Sequence, residues 1–142
     1  MTNLLEKSLL IGFGILILTI FSSLITPFLG EIVQFNKNEK RELENYMNFI
    51  NEIDQSIIFA IQNPNESYLR KIEYPSGINI SFYDHFAGYT FFFDEKVHNK
   101  TLVYSKTFSK SNFRNIPSKV YILNISYNSI LILVKLINSV TV

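Results

Sequence analysis

The side chains able to do chemistry are few and scattered. The only histidines, His85 and His98, stand alone in expected turns, without the paired spacing of a metal site. No G-x-S-x-G, Walker or H-E-x-x-H pattern occurs, and the absence of cysteine removes thiolate nucleophiles, thiolate metal sites and disulfides together. Asp84 and Asp94 flank one expected hairpin strand and could meet across a rim, but solvation is the ordinary state of turn carboxylates. The sequence therefore assigns no catalytic residue, no cofactor and no metal, and an enzyme is not expected. What remains is a set of N-x-S/T sequons at Asn65, Asn79, Asn99 and Asn124, each an acceptor only on an exported surface. Asn65 and Asn99 fall in expected turns and Asn79 points opposite Ile78 and Ile80, so these are the candidate glycosylation sites. Asn124 shares a face with Val120 and Ile122 and is expected to be too buried.

The element that must position everything else is Leu9 to Leu29, LLIGFGILILTIFSSLITPFL, an uncharged run of roughly 20 residues, the length an α-helix needs to cross a bilayer. A cleaved secretory signal fits poorly, because its apolar region is usually ~7–15 residues and Thr26 to Glu31 offers no A-x-A-like site. A buried soluble-core helix fits poorly too, since so short a chain lacks an apolar layer able to enclose it. Thr19, Ser22, Ser23 and Thr26 can bond back to helix carbonyls, and Pro27 removes one backbone donor, which predicts a bend around Ser23. Gly12, Gly14, Ser22 and Ser23 leave room for a neighbouring helix, without G-x-x-x-G spacing.

Of 142 residues the first thirty belong to the membrane, and the remainder suffices for one compact domain. A net charge of +1 with 18% charged residues offers no basic stripe for phosphate neutralisation, so nucleic acid is not an expected partner. Aromatics at 15%, with 13 Phe and 8 Tyr, suit a packed β-rich domain rather than a disordered tail.

From Glu31 to Gln62 the apolar residues Leu43, Tyr46, Met47, Ile50, Ile53, Ile57, Ala60 and Ile61 recur at helical spacing, and Asn63-Pro64-Asn65 stops the pattern. An amphipathic helix packed on its own domain is expected in preference to a coiled coil, which would need more heptads. From Tyr68 the period changes to two. Expected strands are Tyr68 to Tyr74, Ile78 to Tyr83, Tyr89 to Asp94, Leu102 to Phe108, Val120 to Tyr127 and Ile130 to Ile137. Their turns are Pro75-Ser76-Gly77, Asp84 to Gly88, the polar connection Glu95 to Thr101, and the hairpin candidate Asn128-Ser129. The apolar tail Ile130 to Val142 is too short to span a membrane and carries Lys135, so a buried strand is expected there. The reading is α+β: residues 1–30 an apolar membrane-spanning helix, 31–63 an amphipathic helix, and 64–142 a small antiparallel β-sheet or sandwich head.

This layout, with Lys7-Ser8 before an uninterrupted apolar helix, an amphipathic continuation and an all-β head, resembles archaeal type IV pilin-like proteins, including archaellum accessory and stator proteins. The resemblance implies cleavage by a prepilin peptidase after Ser8, with Leu9 as the new N-terminus. Phe13 stands where bacterial pilins carry a glutamate at the fifth mature residue. The family further implies a non-enzymatic surface protein whose partners are the bilayer and copies of itself or related subunits, joined through the N-terminal helix. The alternative is a single-span membrane or viral envelope protein whose head binds a partner without polymerising.

Orientation signals disagree. Lys37, Lys40 and Arg41 follow the span while Lys7 alone precedes it, which by the positive-inside rule places the head in the cytoplasm. The sequons and the pilin-like order of elements place it outside. An imbalance of a few cations is small and folded domains translocate largely regardless of charge, so an extracytoplasmic head is expected.

Overall fold

A computed structural model describes residues 2–139. The last residues of the apolar tail, 140–142, lie outside them. The fold is α+β, with one long helix, α1 (Thr2–Gln62), followed by β1 (Ser67–Glu73), β2 (Ile78–Phe93), β3 (Lys96–Phe113), β4 (Val120–Tyr127) and β5 (Leu131–Asn138). Contacts divide the chain into two units, one ending at Lys40 and the other beginning at Arg41. The boundary between anchor and head therefore falls within the expected 31–63 segment, because the core-forming residues of α1 begin only at Tyr46.

Residues 3–38 are exposed on every side of the helix, which continues through Pro27. Thr19 Oγ1 donates to the Ile15 carbonyl at 2.7 Å, Ser23 Oγ to Ile20 at 2.8 Å and Thr26 Oγ1 to Ser22 at 2.6 Å. These hydroxyls thus satisfy themselves within the helix and add no polar demand on whatever surrounds it.

In the head, Tyr46, Phe49, Ile50, Ile53, Ser56, Ile57 and Ala60 form the buried stripe of α1. Their three- and four-residue steps keep one face on the sheet. Phe49 and Ser56 join the expected set, the Ser56 hydroxyl being satisfied by the Glu52 carbonyl at 2.6 Å. Leu43 departs from it at 36% exposed, because Tyr46, one turn later, already closes the core by donating to the Ser76 carbonyl at 2.9 Å. The helix stops where Asn63 directs both its backbone and side-chain N–H groups to the Phe59 carbonyl. Asn65, at φ 70°, then donates its N–H to the Tyr127 carbonyl at 2.8 Å and ties the helix end to β4.

Five strands form a single sheet in the order β1-β4-β5-β3-β2, with α1 as the second layer. A sandwich does not form among the described residues. The sheet is mixed rather than purely antiparallel: β5 inserts between β4 and β3, pairing antiparallel with β4 and parallel with β3 at Thr107–Leu131 and Phe108–Ile132. Because β3 and β4 run in opposite directions, any strand placed between them must be parallel to one of the two.

Two expected strands fuse into β2. At Asp84 to Gly88 no turn forms, and the register with β3 shifts there while Asp84 adopts φ 47°. Burial passes from Ile78, Ile80 and Phe82 to Ala87, Tyr89 and Phe91, so the irregularity moves the strand by one residue and keeps an apolar row inward. Likewise the connection Glu95 to Thr101 shrinks to Asp94-Glu95, both with positive φ, the two-residue turn whose twist suits a hairpin. The hairpin expected at Asn128-Ser129 is present. Tyr127 pairs with Ile132, which centres the turn on Ser129-Ile130 while Asn128 Oδ1 accepts the N–H groups of Ile130 and Leu131 at 3.1 and 2.8 Å.

The sheet holds α1 from two flanks. Phe49 meets Tyr74, just past β1, edge-on at 5.1 Å between ring centroids, and Tyr46 stacks on Phe91 of β2 at 4.8 Å. Burying each such side chain contributes about 1.5–3 kcal/mol, so this face of α1 anchors the head.

Candidate functional site

Leu9 to Leu29 carries Leu, Ile and Phe around its whole circumference. None of the most apolar stretch of α1 is buried by the rest of the chain, and the helix is long and apolar enough to cross a membrane. A helix exposed on all sides in this way has no partner of its own to cover it. The glycines Gly12, Gly14 and Gly30 face open space, so small residues leave shallow depressions along it. Ser8 and Leu9 lie within the helix, both exposed, and the backbone at the expected processing point is helical.

The sequons separate by environment. Asn65 is exposed in the link between α1 and β1. Asn99 is exposed on β3, not in a turn, and accepts a hydrogen bond from Thr90 Oγ1 at 2.8 Å. Asn79 is half-buried on β2, and its Oδ1 accepts the Asn115 N–H at 3.0 Å, which supports the loop after β3. Asn124 faces the outer side of the sheet and is half-buried, not enclosed, because Tyr121, Leu123, Ile125 and Tyr127 are the residues of β4 that enter the core. Its face is indeed shared with Val120 and Ile122, but that face is turned from α1.

Asp84 and Asp94 are not brought together. They occupy the β2 irregularity and the β2–β3 turn, roughly 30 Å apart along the strand. His85 is exposed on β2, where the expected turn is replaced by strand. His98 sits on β3, not in a turn, near the rings of Phe91 and Phe93, with Nε2 3.2 Å from the Phe93 carbonyl. No group of three His, Asp or Glu among the described residues is placed to hold a metal ion. A cleft of about 390 Å³ opens beside the head portion of α1, and its lining includes Glu42, Tyr46, Phe49, Glu73, Ser76 and Ser118. Its hydroxyls come from Tyr46, Ser76 and Ser118, and no histidine lines it to serve them as a base.

The chain matches no protein-family model, no curated protein sequence and no solved structure. The functional reading therefore rests on the geometry alone.

Two features of the head escape a reading by periodicity. The first is a cluster beneath the sheet, where Tyr104 donates to Asp54 at 2.7 Å and the nearby Tyr89 hydroxyl is buried without a partner. Burial, and after it the charge of Asp54, pushes the Tyr89 hydroxyl above its ordinary range. The second is a partition of charge along the chain. Between Glu42 and Leu69 there is no cation, whereas from Lys96 onward there is no acidic side chain. Summing charges for the whole chain conceals this, since the two signs nearly cancel to +1.

Proposed function

We propose that this is a non-enzymatic, membrane-anchored surface protein of pilin-like layout. The Leu9–Leu29 helix holds it in the bilayer, the β head stands outside the cell, and copies assemble into, or support, a filament. The observation that carries the proposal is the uncovered apolar circumference of α1 over one bilayer thickness, on a chain whose head builds its own core without that segment. In the membrane the apolar side chains meet lipid. In a filament the same helix exchanges lipid for neighbouring helices, and the gain is close packing and satisfied backbone polarity rather than hydrophobic transfer. Asn65 and Asn99, exposed on the head, would then be available as glycan acceptors, with Asn79 held back by its hydrogen bond to Asn115.

The test has two arms. A tag after Val142 is exposed to protease added to intact cells if the head lies outside, whereas protection until the membrane is permeabilised sinks the surface reading. The membrane-extracted chain, viewed by electron microscopy, forms helical polymers with the N-terminal helices at the axis. Isolated monomers instead favour a single-span binding protein that never polymerises.

A further inference from the structure

The β2–β3 hairpin ends in a tip whose side chains do not suit water. Phe92 and Val97 are cross-strand partners, 57% and 64% exposed, on the side of the two strands opposite the buried Phe91. Partners so placed have Cβ atoms about 5 Å apart, so the two form one apolar patch rather than two scattered residues. The turn beside them, Asp94-Glu95, is polar, and Lys96 is exposed and forms no ion pair among the described residues.

Two contacts fix where this tip lies in the head. The Tyr104 hydroxyl reaches Asp54 at 2.7 Å, and Phe91 stacks on Tyr46 at 4.8 Å between ring centroids. Along α1, Tyr46 lies about 12 Å before Asp54, while along the arm Phe91 and its partner His98 lie nearer the turn than Tyr104. The arm therefore runs back along the helix toward its entry into the head, and its turn stands roughly 10 Å beyond the Tyr46–Phe91 pair. The head begins at Arg41. Only Asn36 to Lys40 separates it from Phe35, the last apolar residue of the anchor, and that stretch spans about 18 Å even at full extension. The tether thus keeps the tip end of the head close to the bilayer surface, at whatever angle the head stands.

We infer that the β2–β3 tip rests in the headgroup layer of the membrane that holds the chain, with Phe92 and Val97 buried at the apolar level of the interface. Lipid rather than a second copy is the occupant, because every anchored chain has it within reach, with or without neighbours. The charges around the patch set the lipid class. Asp94 and Glu95 are matched by Lys96 and Lys100, so the tip carries no excess charge. It suits a zwitterionic phospholipid, whose ammonium can meet the carboxylates and whose phosphate can meet the lysines. The same carboxylates keep the contact shallow, since carrying a charge into the hydrocarbon is costly. With α1 as the first attachment, this second one sets how the head is turned on the bilayer. The inference rests on the membrane anchoring proposed above and is independent of filament assembly and of which side the head occupies.

The chain has no cysteine, so single introduced thiols carry a nitroxide without background. Full-length chains bearing Val97→Cys, Phe21→Cys or Gln55→Cys are reconstituted in phosphatidylcholine vesicles. Each nitroxide is read for collision with oxygen, which dissolves in lipid, and with a nickel chelate, which stays in water. Phe21→Cys reports the span, and Gln55→Cys, exposed on the back of α1, reports water. The Val97→Cys probe is expected to be more lipid-exposed than Gln55→Cys, and adding Phe92→Asp returns it to the Gln55→Cys value. Phe92 is exposed, so that variant keeps the unfolding temperature of its parent in detergent. Replacing part of the phosphatidylcholine by phosphatidylglycerol leaves the reading unchanged, whereas a lipid reading only with phosphatidylglycerol overturns the zwitterionic partner. A water-like Val97→Cys beside a lipid-exposed Phe21→Cys overturns the tip contact and leaves the anchor standing. Water-like readings at both remove the two together. A Val97→Cys reading that turns lipid-like only as chains are crowded in the vesicle reports contact between copies and overturns the inference as well.

Discussion

The Tyr104 hydroxyl donates to Asp54 Oδ1 at 2.7 Å, joining the middle of β3 to α1 across 50 residues of chain. It is the one side-chain hydrogen bond between α1 and the β2–β3 arm among the described residues, in a core whose other side chains are, Ser56 apart, apolar and aromatic. Tyr104→Phe keeps the ring and removes the donor, leaving Asp54 short of a partner. The expected loss is about 1.5–3 kcal/mol, the range for hydrogen bonds to charged groups, read as a lower unfolding temperature of the detergent-solubilised chain.

Tyr89 gives the opposite sign. Its hydroxyl is buried beside that of Tyr104 without a well-formed hydrogen bond among the described residues, since Tyr104 spends its proton on Asp54, so Tyr89→Phe removes a poorly satisfied, desolvated polar group and keeps the ring. The variant is expected to be as stable as the parent or more stable by about 1 kcal/mol. A loss as large as that of Tyr104→Phe would show that the hydroxyl is satisfied in solution.

Alkaline pH should unfold the head through its buried tyrosines. Burial raises the hydroxyl pKa of Tyr74, Tyr89 and Tyr104 above the ordinary 10.0. A group whose folded pKa lies above its unfolded value contributes stability that is complete below the unfolded pKa and is lost as pH rises past it towards the folded one. Thermal stability is therefore expected to fall above pH about 10, with part of the tyrosinate absorbance appearing only as the head unfolds. Ionisation of all tyrosines in a still-folded head would contradict this.

Ile50 and Leu43 occupy equivalent places in the helical pattern but not in the fold. Ile50 is fully buried and Leu43 is 36% exposed. Ile50→Ala should cost about 2–5 kcal/mol, and Leu43→Ala much less. Equal losses, measured by thermal unfolding, would mean that the core extends a turn further along α1.

Asn128 sets the last hairpin by accepting two backbone N–H groups, from Ile130 and Leu131. Asn128→Ala leaves the turn at Ser129, with φ 69°, to hold itself, and a loss of about 1 kcal/mol is expected. Hydrogen exchange should quicken first at the β4–β5 end that this turn closes.

Much of this architecture is legible in the residues themselves. The uncharged run Leu9 to Leu29 specifies a helix long enough to span a bilayer, because length and side-chain polarity are local quantities. The change from helical to alternating period after Asn63-Pro64 marks where α1 gives way to strands, and the Asn128-Ser129 signal locates the final hairpin to within one residue. The tertiary structure alone decides what depends on non-local pairing. Whether Asp84 to Gly88 turns or continues is settled by pairing with β3, which outweighs the local preference of Asp and Gly. The insertion of β5 between β4 and β3 has no local signal, since the same alternating pattern serves a parallel or an antiparallel neighbour. Alternation places Asn124 opposite Leu123 and Ile125, but it cannot say which side receives the helix. That choice rests with the bulky row Tyr121, Leu123, Ile125 and Tyr127, whose burial against α1 turns Val120, Ile122 and Asn124 to the outside.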